Sequence, residues 1–199
     1  IERPRRLRPP RHLGCNDEHN SADKRRKHDR VSHGEHGRRV VEAGKHLWCE
    51  KPIATSRKDV QQLMARSAQL GLAVCEGHMY LHHPHFQQFR RYITEGRLGR
   101  VTSIECRFGI PRLDDPGFRS DPVLGGGALF DVGCYPISAV AALFPEADIS
   151  VAWASVQSRD GWPLDTDGRA VLELSNGAVA HLEWRINGSY RSEIDVWGD

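Results

Sequence analysis

The chain has 199 residues, 39% of them hydrophobic and 27% charged, with a formal net charge of +2. That length can bury one good core, and the composition is that of a globular protein, which sets aside fibrous and low-complexity classes. No apolar run approaches the length that crosses a bilayer, and the arginine-rich start has no apolar stretch behind it, so neither a membrane span nor a secretory leader is expected and a cytoplasmic location is the default.

Charge is unevenly placed. Residues 1–30 hold ten Lys/Arg against five Asp/Glu, so that segment is +5 and the rest of the chain is −3. It has almost no apolar residues to offset the entropy of ordering it, and residues 1–31 are expected to be a disordered or non-native basic segment. A nucleic-acid-binding arm is the weaker reading, because no aromatic residues interleave with the basic ones and no reader module stands beside them. The five cysteines, Cys15, Cys49, Cys75, Cys106 and Cys134, are odd in number and mostly in apolar surroundings. They read as reduced, buried thiols, with no structural disulfide.

From Ser32 the pattern becomes regular. Ser32 with Glu35 three residues on reads as a capping box, Val40, Val41 and Ala43 supply an apolar stripe, and Gly44 ends the helix. His33 falls at the helix start and reads as a solvated polar residue. A short apolar strand, His46 to Cys49, then runs into Glu50-Lys51-Pro52. A lysine at the end of a strand is a candidate ligand site, because open α/β sheets bind ligands at the carboxyl ends of their strands. Ser56 with Asp59 opens a second helix, with Val60, Leu63, Met64 and Ala68 on one face and Gly71 at its end, and Leu72 to Glu76 is a second strand. Helix, strand, helix and strand make the last part of a doubly wound nucleotide-binding domain. The sequence contains no Gly-x-Gly-x-x-Gly.

Gly77 to His85 carries His78, His82, His83 and His85, and four histidines so close invite a metal reading. Pro84, however, belongs in the first turn of the next helix, with Phe86, Phe89 and Ile93 inward and Gly96 at its end. The histidines therefore straddle a loop and a helix start, and no cysteine or carboxylate completes a tetrahedral set. The expectation is no metal and a loop that lines a substrate cleft. Val101 to Ile110 alternates as a half-buried strand, with Thr102, Ile104, Cys106 and Phe108 opposed to Val101, Ser103, Glu105 and Arg107.

Next comes Phe118-Arg119-Ser120-Asp121-Pro122-Val123-Leu124-Gly125-Gly126-Gly127-Ala128-Leu129-Phe130-Asp131-Val132-Gly133-Cys134-Tyr135-Pro136. The three glycines read as a loop that lets backbone approach a ligand closely. A helix over 127–144 then puts Asp131 and Tyr135 four residues apart on one face. Strands follow at 149–158, 168–174, 178–186 and 192–198, with Ser175-Asn176-Gly177 as a hairpin turn. Helices 84–96 and 127–144 cover one face of this mostly antiparallel sheet. Trp153, Trp184 and Trp197 are candidate anchors for an interface on the other.

Glu50-Lys51-Pro52 after Ala43-Gly44-Lys45-His46, followed by Leu124-Gly125-Gly126-Gly127-Ala128-Leu129 and then by Asp131, Gly133, Tyr135 and Pro136, resembles the glucose-fructose oxidoreductase/inositol dehydrogenase/rhizopine catabolism (Gfo/Idh/MocA) family over roughly residues 33–199. The resemblance implies an α/β remnant of a Rossmann-type domain over 32–77, followed by an α+β domain with an open-faced, mostly antiparallel sheet over 78–199 that stops short at its C-terminus. It also implies NADP or NAD as cofactor, hydride transfer to or from a carbon of a sugar or nucleotide-sugar, and homo-oligomers formed through the sheet face, with no membrane or nucleic acid as partner. Tyr-Pro where many members carry a histidine is similar to the sugar ketoreductases and pyranose dehydrogenases.

The family's lysine falls on Lys51, its acid on Asp131 and its His/Tyr on Tyr135, while Glu50, Lys51, Pro52 and Arg119 match positions that approach the cofactor. The chemistry agrees. Reducing a ketone requires that the carbonyl be polarised and the nascent alkoxide protonated, and a tyrosine hydroxyl beside an ammonium suits both, since the positive charge lowers the tyrosine pKa. Tyr135 is the expected acid or base, Lys51 holds the substrate oxygen and nicotinamide ribose, and Asp131 fixes a neighbouring hydroxyl. Leu81 and His82 depart from the family's arginine and aromatic residue. An apolar Rossmann strand is expected just before His33, where the Arg/Pro/His-rich segment stands instead, as a shifted reading frame would leave it. This chain is expected to be inactive alone, and the competing reading is a noncatalytic substrate-binding or scaffolding remnant.

Overall fold

Two serine-capped helices alternate with two short strands at the start of the described residues. The computed structural model describes residues 32–115, 117–159 and 161–199; the basic segment 1–31 lies outside them. Helix α1 (His33–Glu42) begins where the Ser32 hydroxyl accepts the Glu35 amide at 3.4 Å, and Gly44 just beyond it takes a φ of 70° that suits glycine. The capping box is only half closed, because the Glu35 carboxylate turns to Arg39 at 2.6 Å. Strand β1 (Leu47–Glu50) follows. Helix α2 (Arg57–Gln69) repeats the device, with Ser56 on the Asp59 amide at 3.1 Å and Gly71 at φ 64°. Strand β2 (Val74–Gly77) then pairs with β1 in parallel, Leu47 opposite Val74 and Glu50 opposite Gly77. Val41, Leu47, Ile53 and Leu63 form a small core between these elements. Met64, expected inward, is half exposed, because α2 turns Leu63 and Ser67 to the interior instead.

Helix α3 (Pro84–Thr94) starts at Pro84, with the His83 ring accepting the His85 amide at 3.2 Å. The larger part of the fold is a five-stranded sheet of β3 (Val101–Gly109), β4 (Ile149–Gln157), β5 (Asp167–Leu174), β6 (Val179–Arg185) and β7 (Arg191–Gly198), in the order β4-β5-β6-β3-β7. Every neighbouring pair is antiparallel except β3 and β6, which run in parallel. The β5–β6 turn forms as read, with Gly177 at φ 88° and Asn176 Oδ1 accepting the Ala178 amide at 3.1 Å. Along β3 the alternation slips once: a register shift between Val101 and Ser103 buries Val101 together with Ile104 and Cys106.

Residues 127–144, expected as one helix, divide into a π-helical turn (Leu129–Gly133) and helix α4 (Cys134–Leu143). Ala128, Val132, Ala139, Val140 and Leu143 share one core with Ile104, Ala180, Leu182 and Trp184 of the sheet. The stretch Pro122–Leu143 is in fact long and apolar enough to cross a membrane, which corrects the reading that no run approaches that length. Here Ala128, Val132, Ala139, Val140 and Leu143 of this stretch are buried in the core. Trp184 is 2% exposed and so is no interface anchor; its ring lies against Gly133 and Gly168, where an added Cβ would come within 3.0 and 2.3 Å of it. Trp153 and Trp197 are exposed, on the two edge strands. Cys75 is also exposed, against expectation, while Cys106 is buried.

Burial pushes the Cys106 thiol and the Tyr80 hydroxyl up to about 12 and the Cys134 thiol up to about 11. The fold thus favours their neutral forms. That stability is fully present below the ordinary values of 9.0 for cysteine and 10.0 for tyrosine, and is lost as pH rises through the raised ones. The melting temperature followed by circular dichroism is expected to be insensitive to these groups up to pH 9.0 and to fall between there and about 12. A melting temperature that is flat across that window would contradict the burial of these groups.

Candidate active site

The end of β1 delivers Lys51 and is pinned from two sides. The Lys51–Pro52 peptide bond is cis. The Pro52 carbonyl accepts from His33 Nδ1 at 3.0 Å, and the next amide, Ile53 N–H, donates to Glu76 Oε1 at 2.7 Å. A carbonyl only accepts, so Nδ1 of His33 carries the hydrogen. His33 is exposed, as read, and it also lines the cleft around Lys51.

Asp131 sits on the π-helical turn and is 4% exposed. Turns of this kind occur often at functional sites. Lys51 Nζ donates to Asp131 Oδ1 at 3.0 Å and also to the Asp131 backbone carbonyl, while Arg119 Nε donates to Oδ2 at 2.5 Å. Both carboxylate oxygens are thus engaged by cations of the same chain. Asp131, expected to fix a substrate hydroxyl, is bonded here to Lys51 and Arg119, and all three line the same cleft.

Tyr135, at the start of α4, packs its ring 4.6 Å from that of Phe108, and Lys51 Nζ lies 5.0 Å from the Tyr135 ring centroid. Burial pushes the Tyr135 hydroxyl above its ordinary 10.0, and the Lys51 charge opposes that without overcoming it. The lysine acts in the expected direction, but the net shift is upward because burial outweighs it. The ammonium lies against the ring and its hydrogen bonds go to Asp131, so desolvation of the phenol decides the direction. The Tyr135 hydroxyl therefore keeps its proton.

His33, Glu50, Lys51, Arg119, Asp131 and Tyr135 line one cleft of about 600 Å³. A smaller cavity of about 230 Å³ adjoins it and shares Met79, Phe108 and Tyr135 with it. The three glycines do approach something closely, but it is their own chain. A Cβ at Gly125 would lie 2.4 Å from the Thr55 side chain, one at Gly126 2.6 Å from the Arg119 carbonyl, and one at Gly127 2.2 Å from Asp165 Oδ1. Asp165 was not foreseen. Its carboxylate accepts the Leu129 amide at 2.7 Å and its carbonyl the Ala128 amide at 2.9 Å, so it holds the start of the turn that carries Asp131. Nothing local in the sequence signals it, since the contact spans 36 residues. His82, His83 and His85 are exposed, and among the described residues no three His, Cys, Asp or Glu side chains converge as a metal site.

The description "GFO/IDH/MocA C-terminal domain" matches residues 86–199, and "Oxidoreductase family, NAD-binding Rossmann fold" matches residues 26–78. The chain is 34% identical over 166 residues to the dTDP-3,4-didehydro-2,6-dideoxy-alpha-D-glucose 3-reductase of Saccharopolyspora spinosa, covering 83% of this chain and 50% of that one. It is also 34% identical over 168 residues to the reductase of the same name from Actinomadura kijaniata, covering 84% and 50%. Among solved structures, the Actinomadura kijaniata 3-ketoreductase KijD10 in complex with NADP and TDP-benzene superimposes with a TM-score of 0.76 at 33% identity, over 84% of this chain and 51% of that one. The chain spans about half the length of the curated relatives it matches.

The site's ion pairs differ sharply from those on the surface. Asp131→Asn leaves the Lys51 and Arg119 side chains, 13% and 26% exposed, without a countercharge, and is expected to lower unfolding free energy by about 3 kcal/mol. Arg39→Ala removes a pair whose side chains are 65% and 47% exposed, and should cost less than about 1 kcal/mol. Urea unfolding of the two variants checks this. Equal costs would mean that the Asp131 pairs are as weak as a surface bridge.

Proposed function

The chain belongs to the Gfo/Idh/MocA oxidoreductase family, and on that premise we propose that it carries the substrate-facing half of an NAD(P)-dependent ketoreductase acting on a sugar or nucleotide-sugar. The observation that carries the proposal is the meeting of Lys51, Asp131 and a neutral Tyr135 in one cleft. A neutral tyrosine is in the right state to give a proton when a ketone is reduced to an alcohol. Tyr135 would protonate the nascent alkoxide. Lys51, held in place by Asp131, would stabilise the negative charge as it develops on the substrate oxygen.

The nicotinamide end of the cofactor fits this cleft. Lys51, His33 and Glu50 line it around Pro52 and would supply donors and acceptors for ribose hydroxyls. When bound, the cofactor supplies the hydride. The glycine loop that cradles a pyrophosphate is not among the 199 residues, so the chain alone is expected to bind NADPH weakly and to turn over no substrate. The relatives' named substrates support a nucleotide-linked deoxy-keto-sugar for this chain. The sheet face turned away from the helices, with Trp153 and Trp197 exposed on it, supports pairing of two copies.

Fusing the N-terminal half of the Actinomadura kijaniata reductase ahead of Ser32 supplies the pyrophosphate loop and tests the reading. The fusion should oxidise NADPH in the presence of a dTDP-keto-sugar. Tyr135→Phe should lower its turnover about 10²- to 10⁴-fold while leaving NADPH affinity unchanged. A fusion that binds NADPH but reduces no keto-sugar would favour a noncatalytic binding role instead.

A further inference from the structure

Of the four histidines between Gly77 and His85, three face solvent and one turns inward. The His78 side chain is only 10% exposed. Its Nε2 lies 3.2 Å from Glu76 Oε2, and the other oxygen of that carboxylate accepts the Ile53 amide at 2.7 Å, directly after the Lys51–Pro52 turn. The Glu76 carboxyl is held below the usual carboxylate range by the His78 hydrogen bond first, against burial, with help from the Ile53 amide and the Lys51 charge. An ionised carboxylate only accepts, so Nε2 of His78 carries the hydrogen between them.

The opposite edge of the imidazole meets no polar group. Nδ1 is buried with no hydrogen-bond partner among the described residues. The ring stands edge-on to Tyr80 and to Tyr135, with centroids 6.1 Å away in each case. Tyr80 is itself bonded to Ser138 at 2.7 Å, one turn along α4 from Tyr135, and Phe108 covers the Tyr135 ring from another side. A residue kept for packing alone would gain nothing from a buried, unpaired ring nitrogen, which costs free energy. What distinguishes His78 from a phenyl ring is its bond to Glu76.

We infer that Glu76 and His78 are a positioning pair for Tyr135: Glu76 fixes the imidazole, the imidazole sets the Tyr135 ring, and the same carboxylate ties both to the turn that carries Lys51. The inference rests on the reading of Tyr135 as proton donor. One carboxylate with an oxygen on each partner lets the proton donor and the cation keep register, although they belong to segments 84 residues apart in sequence.

Two readouts test the pair separately from the reaction. In the 199-residue chain labelled with ¹⁵N-histidine and ¹³Cζ-tyrosine, His78 should show a single tautomer with hydrogen on Nε2. Glu76→Gln and His78→Phe, the second keeping the bulk of the ring, should each shift or split the Tyr135 resonance and leave those of Tyr92 and Tyr190 in place. Hydrogen on Nδ1, or a Tyr135 resonance unmoved in both variants, overturns the pair. In the fused enzyme both variants should lower kcat about 10- to 100-fold at unchanged KM for NADPH, with Glu76→Asp recovering part of the loss. An unchanged kcat would also overturn it. If the fusion reduces no keto-sugar at all, the catalytic reading fails, and the NMR result alone supports or overturns the pair.

Discussion

A carboxylate withdrawn from water between two cations is the constraint on which the rest of this structure depends. Asp131 is almost wholly buried, and a buried charge of that kind is tolerable only when it is paired and hydrogen-bonded. Lys51 must therefore come to it from the end of β1, and Arg119 from the loop ahead of the glycines. These bonds link a turn beside the small core of Val41, Leu47, Ile53 and Leu63 to a helix seated on the five-stranded sheet. The glycines make this geometry possible. Without side chains they let the loop lie against Thr55, Arg119 and Asp165, and Asp165 in turn holds the start of the π-helical turn.

The same bonds set the character of Tyr135. An ammonium aimed at a phenolic oxygen would favour the phenolate, but here the ammonium is spent on Asp131 and meets the tyrosine at its ring. Burial among Phe108, Tyr80 and His78 then dominates, and the hydroxyl keeps its proton. Ionisation and fold are coupled at this point: the pairing that stabilises a buried carboxylate also leaves the phenol protonated. A lysine free of Asp131 would place more charge beside the phenol and weaken that preference.

Much of this architecture could be read from local patterns. Ser32, Ser56, Gly44, Gly71 and Asn176-Gly177 act within a few residues of themselves, so their caps, ends and turn could be recognised in the sequence. Asp131 and Tyr135 could be paired by their helical spacing, but the approach of Lys51 to them was legible only through the resemblance, because it spans 80 residues. What escaped was decided across long distances. Trp184 is core because Gly133 and Gly168 make room for its ring, and Asp165 caps a turn 36 residues before it. The bond from His33 to the Pro52 carbonyl went unread because the two lie 19 residues apart. Val101 changed face through one irregularity in pairing with β7, and no period read along β3 alone contains that. The direction of the Tyr135 shift required knowing which groups the lysine actually bonds.

The most direct measurement is the ionisation of Tyr135 itself, followed through its ¹³Cζ resonance against pH in the otherwise unaltered chain and assigned by its loss in Tyr135→Phe. With Lys51 bound to Asp131 and the phenol half-buried, the resonance should remain that of a neutral tyrosine past the ordinary value of 10.0. A midpoint below that value would mean that the lysine charge outweighs burial, and the picture of a site built around a neutral proton donor would be wrong.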